Sequence, residues 1–251
     1  MSGLMKLEFR KLIRQNKIYI CTAITIFLQV LLCFLNYLIS QIPMEGMMFE
    51  PISGIDVFVS GVSGGAFVTV SGIFAALCVC EDYEQTTIKN IFARGYSRSQ
   101  VYLSKLLSVI VGVTAMYLLL MVGSLASSAV FFGLEYVSLV KLFSVLGCQY
   151  LACIAYITLI VAVCTLTRKN GISITLVVLI PFLMELLFKI VDALVKLESV
   201  RVADYWITNV ITALGAITVS GQRLTECLVT ALLYMVGGTL LGWLFSKRVE
   251  L

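Results

Sequence analysis

Six long apolar stretches constrain this chain more than any other feature. Each is close to or above the roughly 20 apolar residues that an α-helix needs to cross a hydrocarbon core about 30 Å thick. The stretches lie at approximately 18–40, 57–80, 101–132, 139–166, 172–195 and 224–245. Of the 251 residues, 60% are hydrophobic and only 13% are charged, whereas a typical soluble domain has about 25% charged residues. The sequence therefore predicts an all-α membrane protein with six transmembrane helices in a single domain, residues 1–251.

Most basic residues lie on one side of this predicted bundle. Six crossings place the N-terminal segment, the loops after the second and fourth spans and the C-terminal tail on the same side. Together with Lys105 at the start of the third span, these segments hold thirteen of the 18 Lys and Arg residues. Basic residues accumulate on the cytoplasmic side of membrane proteins. We therefore expect both termini to be cytoplasmic. The net charge of +4 is interpreted as an orientation signal, and no nucleic-acid partner is expected.

Residues 205–222 are apolar enough to suggest a seventh span. A seventh crossing would place Lys247 and Arg248 outside and would leave almost no loop before the last span. The segment also contains side chains that suit a lipid-facing helix poorly, namely Thr208, Asn209, Thr212, Thr218 and Ser220. We expect the region between spans five and six, residues 196–223, to form an extracellular helix or a re-entrant hairpin, which is tolerated where protein buries the polar backbone.

The segment before the first span, residues 4–17, has the pattern of an amphipathic helix. Its apolar residues recur at helical spacing and comprise Leu4, Met5, Phe9, Leu12 and Ile13. Basic residues flank this face, as expected for an elbow helix on an anionic cytoplasmic leaflet. A basic anchor with no further role is the alternative interpretation.

The loop after the second span contains clear local signals. Thr86 or Thr87 is suited to cap a short helix over about 86–94, and Gly95 is suited to the left-handed conformation that ends one. Ser97 followed three residues later by Gln100 is a capping box, which predicts the start of the third span. The loop is therefore expected to be an ordered short helix, a sharp turn and a capped entry into the membrane.

Three apolar residues of this short helix, Ile88, Ile91 and Phe92, share one face. Exposed on the cytoplasmic side, such a face would bind a partner. The alternative is that the short helix folds back on the elbow helix and buries the face within the chain.

The order of these pieces resembles a known family. A basic elbow (LEFRKLIRQNK), an acidic stretch ending in TIKN (EDYEQTTIKN) and a turn into span three (GYSRSQVYLSK) occur within a six-span plan that covers the whole chain. The chain resembles permease subunits of the second exporter type of ABC transporters, especially small permeases of bacterial peptide exporters and lantibiotic immunity systems. That family often has a glycine where this sequence has Thr86, a departure that affects only where the short helix begins.

The resemblance implies that the short helix is a coupling helix, which sits in a groove of the ATPase subunit. By that resemblance the transmission surface comprises Glu81, Glu84, Thr87, Lys89, Asn90, Ile91 and Arg94. The sequence has no GxxxxGK[ST] phosphate loop, so a separate ABC ATPase, in two copies, would bind ATP and Mg²⁺, and this chain would bind no cofactor. A second permease, identical or homologous, would pair with it around a central path in the bacterial cytoplasmic membrane.

Span two includes a formal GxSxG match, from Gly61 to Gly65, of the kind that marks serine hydrolases. The chain has no His, so the usual catalytic triad and the commonest metal ligand are missing. Its eight Cys nearly all lie in apolar stretches, where Cys fills space as a small hydrophobe. We expect no catalytic residue and no metal site. Glycines spaced four apart favour close helix packing instead, and the candidate positions are Gly61, Gly65, Gly238 and Gly242.

Span five carries three ionisable residues, Glu185, Lys189 and Asp192, at helical spacing on one face. With a rise of about 1.5 Å per residue, Glu185 lies roughly 21 Å along a core about 30 Å thick. Charges within a span are candidates for function, so these side chains are candidates for lining the translocation path. The alternative is a structural lock between Glu185 and Lys189, with Lys189 and Asp192 reaching the outer surface. Pro181, one turn before Glu185, is expected to kink the helix.

Taken together, the sequence predicts the permease subunit of an ATP-driven exporter for a hydrophobic or amphipathic substrate, with an antimicrobial or secreted peptide as the expected cargo. A receptor that binds a peptide at residues 196–223 without transporting it is the alternative from another class. An intramembrane enzyme is disfavoured by the missing His and by the lack of clustered catalytic carboxylates.

Overall fold

The computed structural model describes residues 2–41, 53–85, 87–133, 136–195 and 201–248, and all regular elements in these ranges are helical. The helices are α1 (Ser2–Arg14), α2 (Lys17–Ser40), α3 (Gly54–Val62), α4 (Gly65–Glu84), α5 (Thr87–Ala93), α6 (Arg98–Phe131), α7 (Leu139–Thr167), α8 (Asn170–Val195), α9 (Ile207–Ala213) and α10 (Gly221–Arg248), with a 3₁₀ turn at Val202–Tyr205. Six helical segments are long and apolar enough to cross a membrane: α2, α3 with α4, α6, α7, α8 and α10. The prediction of an all-α protein with six spans is confirmed.

The second span is not one continuous helix, although its sequence suggested one. It breaks between α3 and α4 at Ser63 and Gly64, where the backbone of Gly64 is extended, with φ −58° and ψ 140°. Nε2 of Gln149 in α7 donates to the carbonyl of Val59, one turn before the break, at 3.2 Å. The broken helix is therefore stabilised by a contact from a distant part of the chain.

Both ends of the described chain lie at one end of the bundle. Nη1 of Arg98 at the start of α6 donates to the carbonyl of Lys247 near the end of α10 at 3.2 Å. The backbone N–H of Asn170 at the start of α8 donates to Glu84 at the end of α4 at 2.7 Å. We call this end, with α1, α5, the α7–α8 connection and the end of α10, the basic end, because most Lys and Arg residues belong to it.

The elbow helix α1 packs alongside the first turns of α6. Three contacts follow one another along α1 and α6: Leu4 with Val101, Glu8 with Lys105, and Leu12 with Gly112. Contacts thus advance along both helices in the same direction. α1 is an integral part of the bundle at the basic end, and the plain-anchor interpretation does not describe it.

The segment between α8 and α10 folds back into the bundle. In α9 the side chains of Ile207, Val210 and Ile211 are buried. Nε2 of Gln149 donates to the carbonyl of Leu214 at 2.6 Å, and Gln149 lies about 15 Å along α7 from its start. The described part of this segment, from Arg201 onward, therefore packs into the bundle against α7. Residues 196–200 lie outside the described residues, and the position of the segment relative to the membrane stays a prediction.

Candidate functional site

The short helix after the second span forms where the sequence predicted it. α5 ends at Ala93, and the following turn closes with Gly95 at φ +84°, its N–H donating to the carbonyl of Phe92 at 2.9 Å. The capping box of Ser97 and Gln100 at the start of α6 is present with both of its hydrogen bonds. These local predictions are confirmed, whereas the possible cap at position 86 lies outside the described residues.

One face of α5 is covered by the chain itself. Ile88 is only 2% exposed and packs with Leu4 of α1 and Val101 of α6. Ile91 and Phe92 are half-buried against the same cluster. The expectation of a fully exposed apolar face is wrong for Ile88, because the elbow helix covers it. The structure instead shows the alternative in which α5 folds back on α1.

Six ionisable side chains meet beside α5. Asp82 near the end of α4 accepts hydrogen bonds from both Lys11 of α1 and Lys105 of α6. Oε1 of Glu8 lies 3.6 Å from Nζ of Lys105. We call this group the Asp82 network, and it comprises Glu8, Lys11, Lys17, Glu81, Asp82 and Lys105. Three helices and the start of a fourth are thereby joined through charges.

The centre of the Asp82 network is shielded from solvent. The exposed fractions are 2% for Lys105, 4% for Asp82 and 7% for Glu8. Removing charges from water costs several kcal/mol per ion unless each is paired. Three carboxylates here face three ammonium groups, so the network is formally neutral. Its buried charges are stable only as a complete set.

The edge of the network remains partly open. Glu81 lies 2.8 Å from Nζ of Lys17 and 3.4 Å from Nζ of Lys11. Burial by itself lowers the pKa of Lys11, but the hydrogen bond to Asp82 and the nearby carboxylates outweigh it and hold the pKa of Lys11 above its usual value. Lys11 therefore stays charged at physiological pH and maintains the link between α1 and α4.

The network reaches α5 through one hydroxyl group. Oγ1 of Thr87 donates to the carbonyl and to Oδ1 of Asp82, at 3.2 Å each. The first residue of α5 is therefore bonded to the carboxylate that also holds α1 and α6. A displacement of α5 acts directly on the centre of the network.

The predicted transmission residues divide into two groups. Three have contacts within the chain: Glu81 belongs to the Asp82 network, Thr87 donates to Asp82, and the exposed Glu84 accepts a hydrogen bond from the N–H of Asn170. Those that face outward from α5 and its end are Lys89, Asn90 and Arg94, while Ile91 is half-buried between the two groups. The surface open to a partner is thus smaller than the predicted set.

Sequence reasoning missed the most buried members of the network. Lys105 lies four residues inside the third predicted span, yet its charge was used only for orientation. The criterion that singled out Lys189 in span five, a charge within an apolar stretch, applies equally to Lys105. Asp82 and Glu8 carried no such signal, because both lie outside the predicted spans, where acidic residues are common.

The three ionisable residues of span five do not form one cluster. Nζ of Lys189 lies 2.6 Å from Oε1 of Glu185, and these side chains are 64% and 38% exposed. Asp192 instead accepts hydrogen bonds from the backbone N–H groups of Val202 at 2.7 Å and Ala203 at 3.0 Å. Asp192 thus holds the 3₁₀ turn. The pair stays a candidate for the translocation path.

Three of the four candidate glycines lie at close contacts within the subunit. A Cβ at Gly61 would meet the amide of Gln29 at 1.8 Å, one at Gly238 would meet Thr158 at 2.6 Å, and one at Gly242 would meet the Tyr102 hydroxyl at 2.1 Å. Gly65 differs, because among the described residues no neighbouring atom would lie within 4 Å of a Cβ placed there. The break in span two separates it from Gly61, so the two glycines do not share one helix face.

These features define a multi-pass membrane protein that presents a short, internally braced helix at its basic end. Residues 4–185 match the family described as ABC-2 family transporter protein. The match covers well over half of the chain, and the chain belongs to this family. A comparison with curated proteins finds no match. Membership makes the chain a permease subunit of an ABC transporter, which associates with an ABC ATPase, and ATP hydrolysis takes place in that separate chain.

Proposed function

We propose that this permease is the transmembrane half of an ATP-driven exporter in the bacterial cytoplasmic membrane, with its basic end in the cytoplasm. The distribution of Lys and Arg supports this orientation, with thirteen of 18 at the basic end. The ATPase then binds ATP and Mg²⁺ in two copies beneath a pair of permeases. This chain contributes no nucleotide-binding residue of its own.

The observation that carries the proposal is the two-sided construction of α5. Its inner face is attached to α1, α4 and α6 through the Ile88 cluster and the Thr87–Asp82 hydrogen bonds. Its outer face presents Lys89, Asn90 and Arg94. A helix held on one face and free on the other is suited to receive movement from a partner and to pass it to three helices of the bundle.

The cargo proposed is a hydrophobic or amphipathic peptide, of the antimicrobial or secreted kind, so that export would provide immunity to a bacteriocin. The broken second span supports an amphipathic path. Ser60 and Gly65 beside the break are exposed, and Thr69 is half-exposed. Irregular backbone at membrane depth is tolerated where protein covers it or where it lines a water-filled cavity. With Glu185 and Lys189 of α8, these groups offer polar contacts amid apolar walls.

The receptor alternative, with peptide binding between spans five and six, finds less support. The side chains of Ile207 and Ile211 in α9 are fully buried, and the backbone N–H of Ile217 donates to Asp56 of α3 at 3.1 Å. A segment built into the bundle in this way moves with the spans. Its construction favours a part in transport over independent reception of a peptide.

The proposal is tested by reversing the charges on the outer face of α5. The variant Lys89→Glu with Arg94→Glu reverses both charges on the outer face of α5, and disrupting charge complementarity at an interface lowers affinity about tenfold or more. We expect the purified permease to retain its fold but to co-purify poorly with the ATPase and to lose stimulation of ATP hydrolysis in proteoliposomes.

The matched control is Lys169→Glu with Lys141→Glu, which reverses two exposed basic residues outside α5. We expect this control to bind the ATPase as the unaltered chain does. Normal co-purification and stimulation in the α5 variant would show that α5 is not the coupling element. Equal losses in both variants would assign the effect to total charge and would equally contradict the proposal.

A further inference from the structure

The outward face of α1 carries a regular stripe of basic side chains. Lys6, Arg10 and Arg14 follow one another at intervals of four residues, so they lie on one side of the helix. All three are exposed. Leu7 and Ile13 on the same side are 47% and 67% exposed. A groove of about 810 Å³ runs along this face.

The basic side chains on the two faces of α1 lie in different environments. On the inner side Lys11 belongs to the Asp82 network, and Leu4, Glu8 and Leu12 are buried. On the outer side the stripe has no carboxylate partner, because no ion pair among the described residues includes any of its three members. The outer face therefore combines uncompensated positive charge with exposed apolar surface.

The position of α1 along the bundle places this stripe at the membrane boundary. α6 has 34 residues and is about 51 Å long, so a placement centred on a core of about 30 Å would leave roughly 10 Å outside at each end. α1 packs against α6 between Val101 and Gly112, which is the region where the core ends. Lipid headgroups at the basic end therefore lie level with α1.

We propose that the outer face of α1 is a binding site for an anionic phospholipid. The guanidinium groups of Arg10 and Arg14, with Lys6, would bind the headgroup phosphate through charge-assisted hydrogen bonds. Leu7 and Ile13 would contact the upper acyl chains, as on other helices at membrane interfaces. The inner face of α1 is bonded to Asp82 and packed on α5. A lipid bound to the outer face would therefore also stabilise the helix against which α5 packs.

The test titrates the full chain, purified in detergent and stripped of lipid, with phosphatidylglycerol or phosphatidylcholine. Native mass spectrometry then gives the association constant of the first bound lipid. Each basic residue near an anionic surface contributes a factor of about 5. We expect Arg10→Gln with Arg14→Gln to weaken phosphatidylglycerol binding roughly 25-fold, to the level of phosphatidylcholine.

The matched control is Lys89→Gln with Arg94→Gln, which removes two exposed cations from α5 at the same end of the bundle. We expect its phosphatidylglycerol affinity to stay within about twofold of the unaltered chain, since those groups belong to α5 and not to the stripe on α1. Equal weakening in both variants, or none in the α1 variant, would overturn the proposal. Displacement of the lipid by millimolar inorganic phosphate would overturn it too, because it would show an anion site without lipid contacts.

A second measurement does not depend on the folding of any variant. Hydrogen–deuterium exchange of residues 2–14 is compared between nanodiscs of phosphatidylglycerol and of phosphatidylcholine. We expect slower exchange in phosphatidylglycerol, because a bound headgroup stabilises α1 against opening. The same rate in both lipids would contradict the site.

Discussion

Two sets of acidic and basic side chains occur in this protein, and they are held in opposite environments. In the Asp82 network, Asp82 and Lys105 are 4% and 2% exposed. In span five, the side chains of Glu185 and Lys189 are 38% and 64% exposed. The network joins α1, α4 and α6 and reaches α5, whereas the pair lies within the single helix α8. Similar chemistry therefore serves different purposes in the two places.

The difference shows how burial changes what an ion pair contributes. A buried pair depends on every partner, because loss of one leaves an uncompensated charge. The span-five pair joins two residues of the same helix, so it does not hold one helix against another. We infer that the Asp82 network is structural support for α5, while the span-five pair is free to interact with something other than its own subunit.

The strongest test of this contrast is Asp82→Ala. The substitution leaves Lys105 buried without its main partner and removes one of the two acceptors of the Thr87 hydroxyl. We expect a loss of about 3–5 kcal/mol in the free energy of unfolding, measured as a large fall in thermal stability of the solubilised chain. Asp204→Ala, at an exposed position, is the control and is expected to change stability by less than about 0.5 kcal/mol. Similar effects of the two substitutions would mean that the network does not brace the bundle.

An intermediate effect is expected at Asp192, which lies between the two extremes. Its carboxylate caps the 3₁₀ turn through the N–H groups of Val202 and Ala203. Asp192→Ala removes this cap, and loss of a capping side chain costs about 1–2 kcal/mol. Thermal unfolding measures the change, and exchange of the Val202 and Ala203 amides should increase locally. Unchanged amide exchange would show that the turn is held by its other contacts.

The smallest effect on stability is expected in the span-five pair. We predict that the double variant Glu185→Gln with Lys189→Met lowers the free energy of unfolding by far less than Asp82→Ala does, because it removes both charges of a pair that joins residues of one helix only. If the pair lines the path, the double variant folds normally but changes the transport rate or the cargo preference in proteoliposomes. Full transport by a stable double variant would remove these residues from the path. A large loss in either single variant, restored in the double, would show a structural lock.

Local sequence patterns predicted much of the basic end correctly. The capping box of Ser97 and Gln100, and the left-handed Gly95, depend on residues only a few positions apart. Such interactions form wherever the local sequence occurs, because they need no partner from elsewhere. The existence and ends of α5 were therefore predictable, while the burial of Ile88 was not, since it depends on Leu4 and Val101.

The break in the second span shows the limit of such patterns. Residues 57–80 contain no charged residue, and glycines such as those near Ser63 are also frequent in packed membrane helices. The break is stabilised by Gln149, which is 90 residues away in sequence. A hydrogen bond between residues so far apart in sequence is not reflected in the hydrophobic periodicity of either segment. The separation of Gly61 from Gly65 follows from this same break.

The sequence by itself determined that the chain is a six-span helical protein with one basic end. Length, hydropathy and charge decide this, because a helix in lipid satisfies its own backbone and needs only enough apolar residues to cross. Only the tertiary structure decided which charges are buried together and which face outward. Glu8, Asp82 and Lys105 come from three separate helices, and their desolvation is compensated only where those helices meet. The division of α5 and α1 into a braced face and an open face is a property of packing, which no single segment encodes.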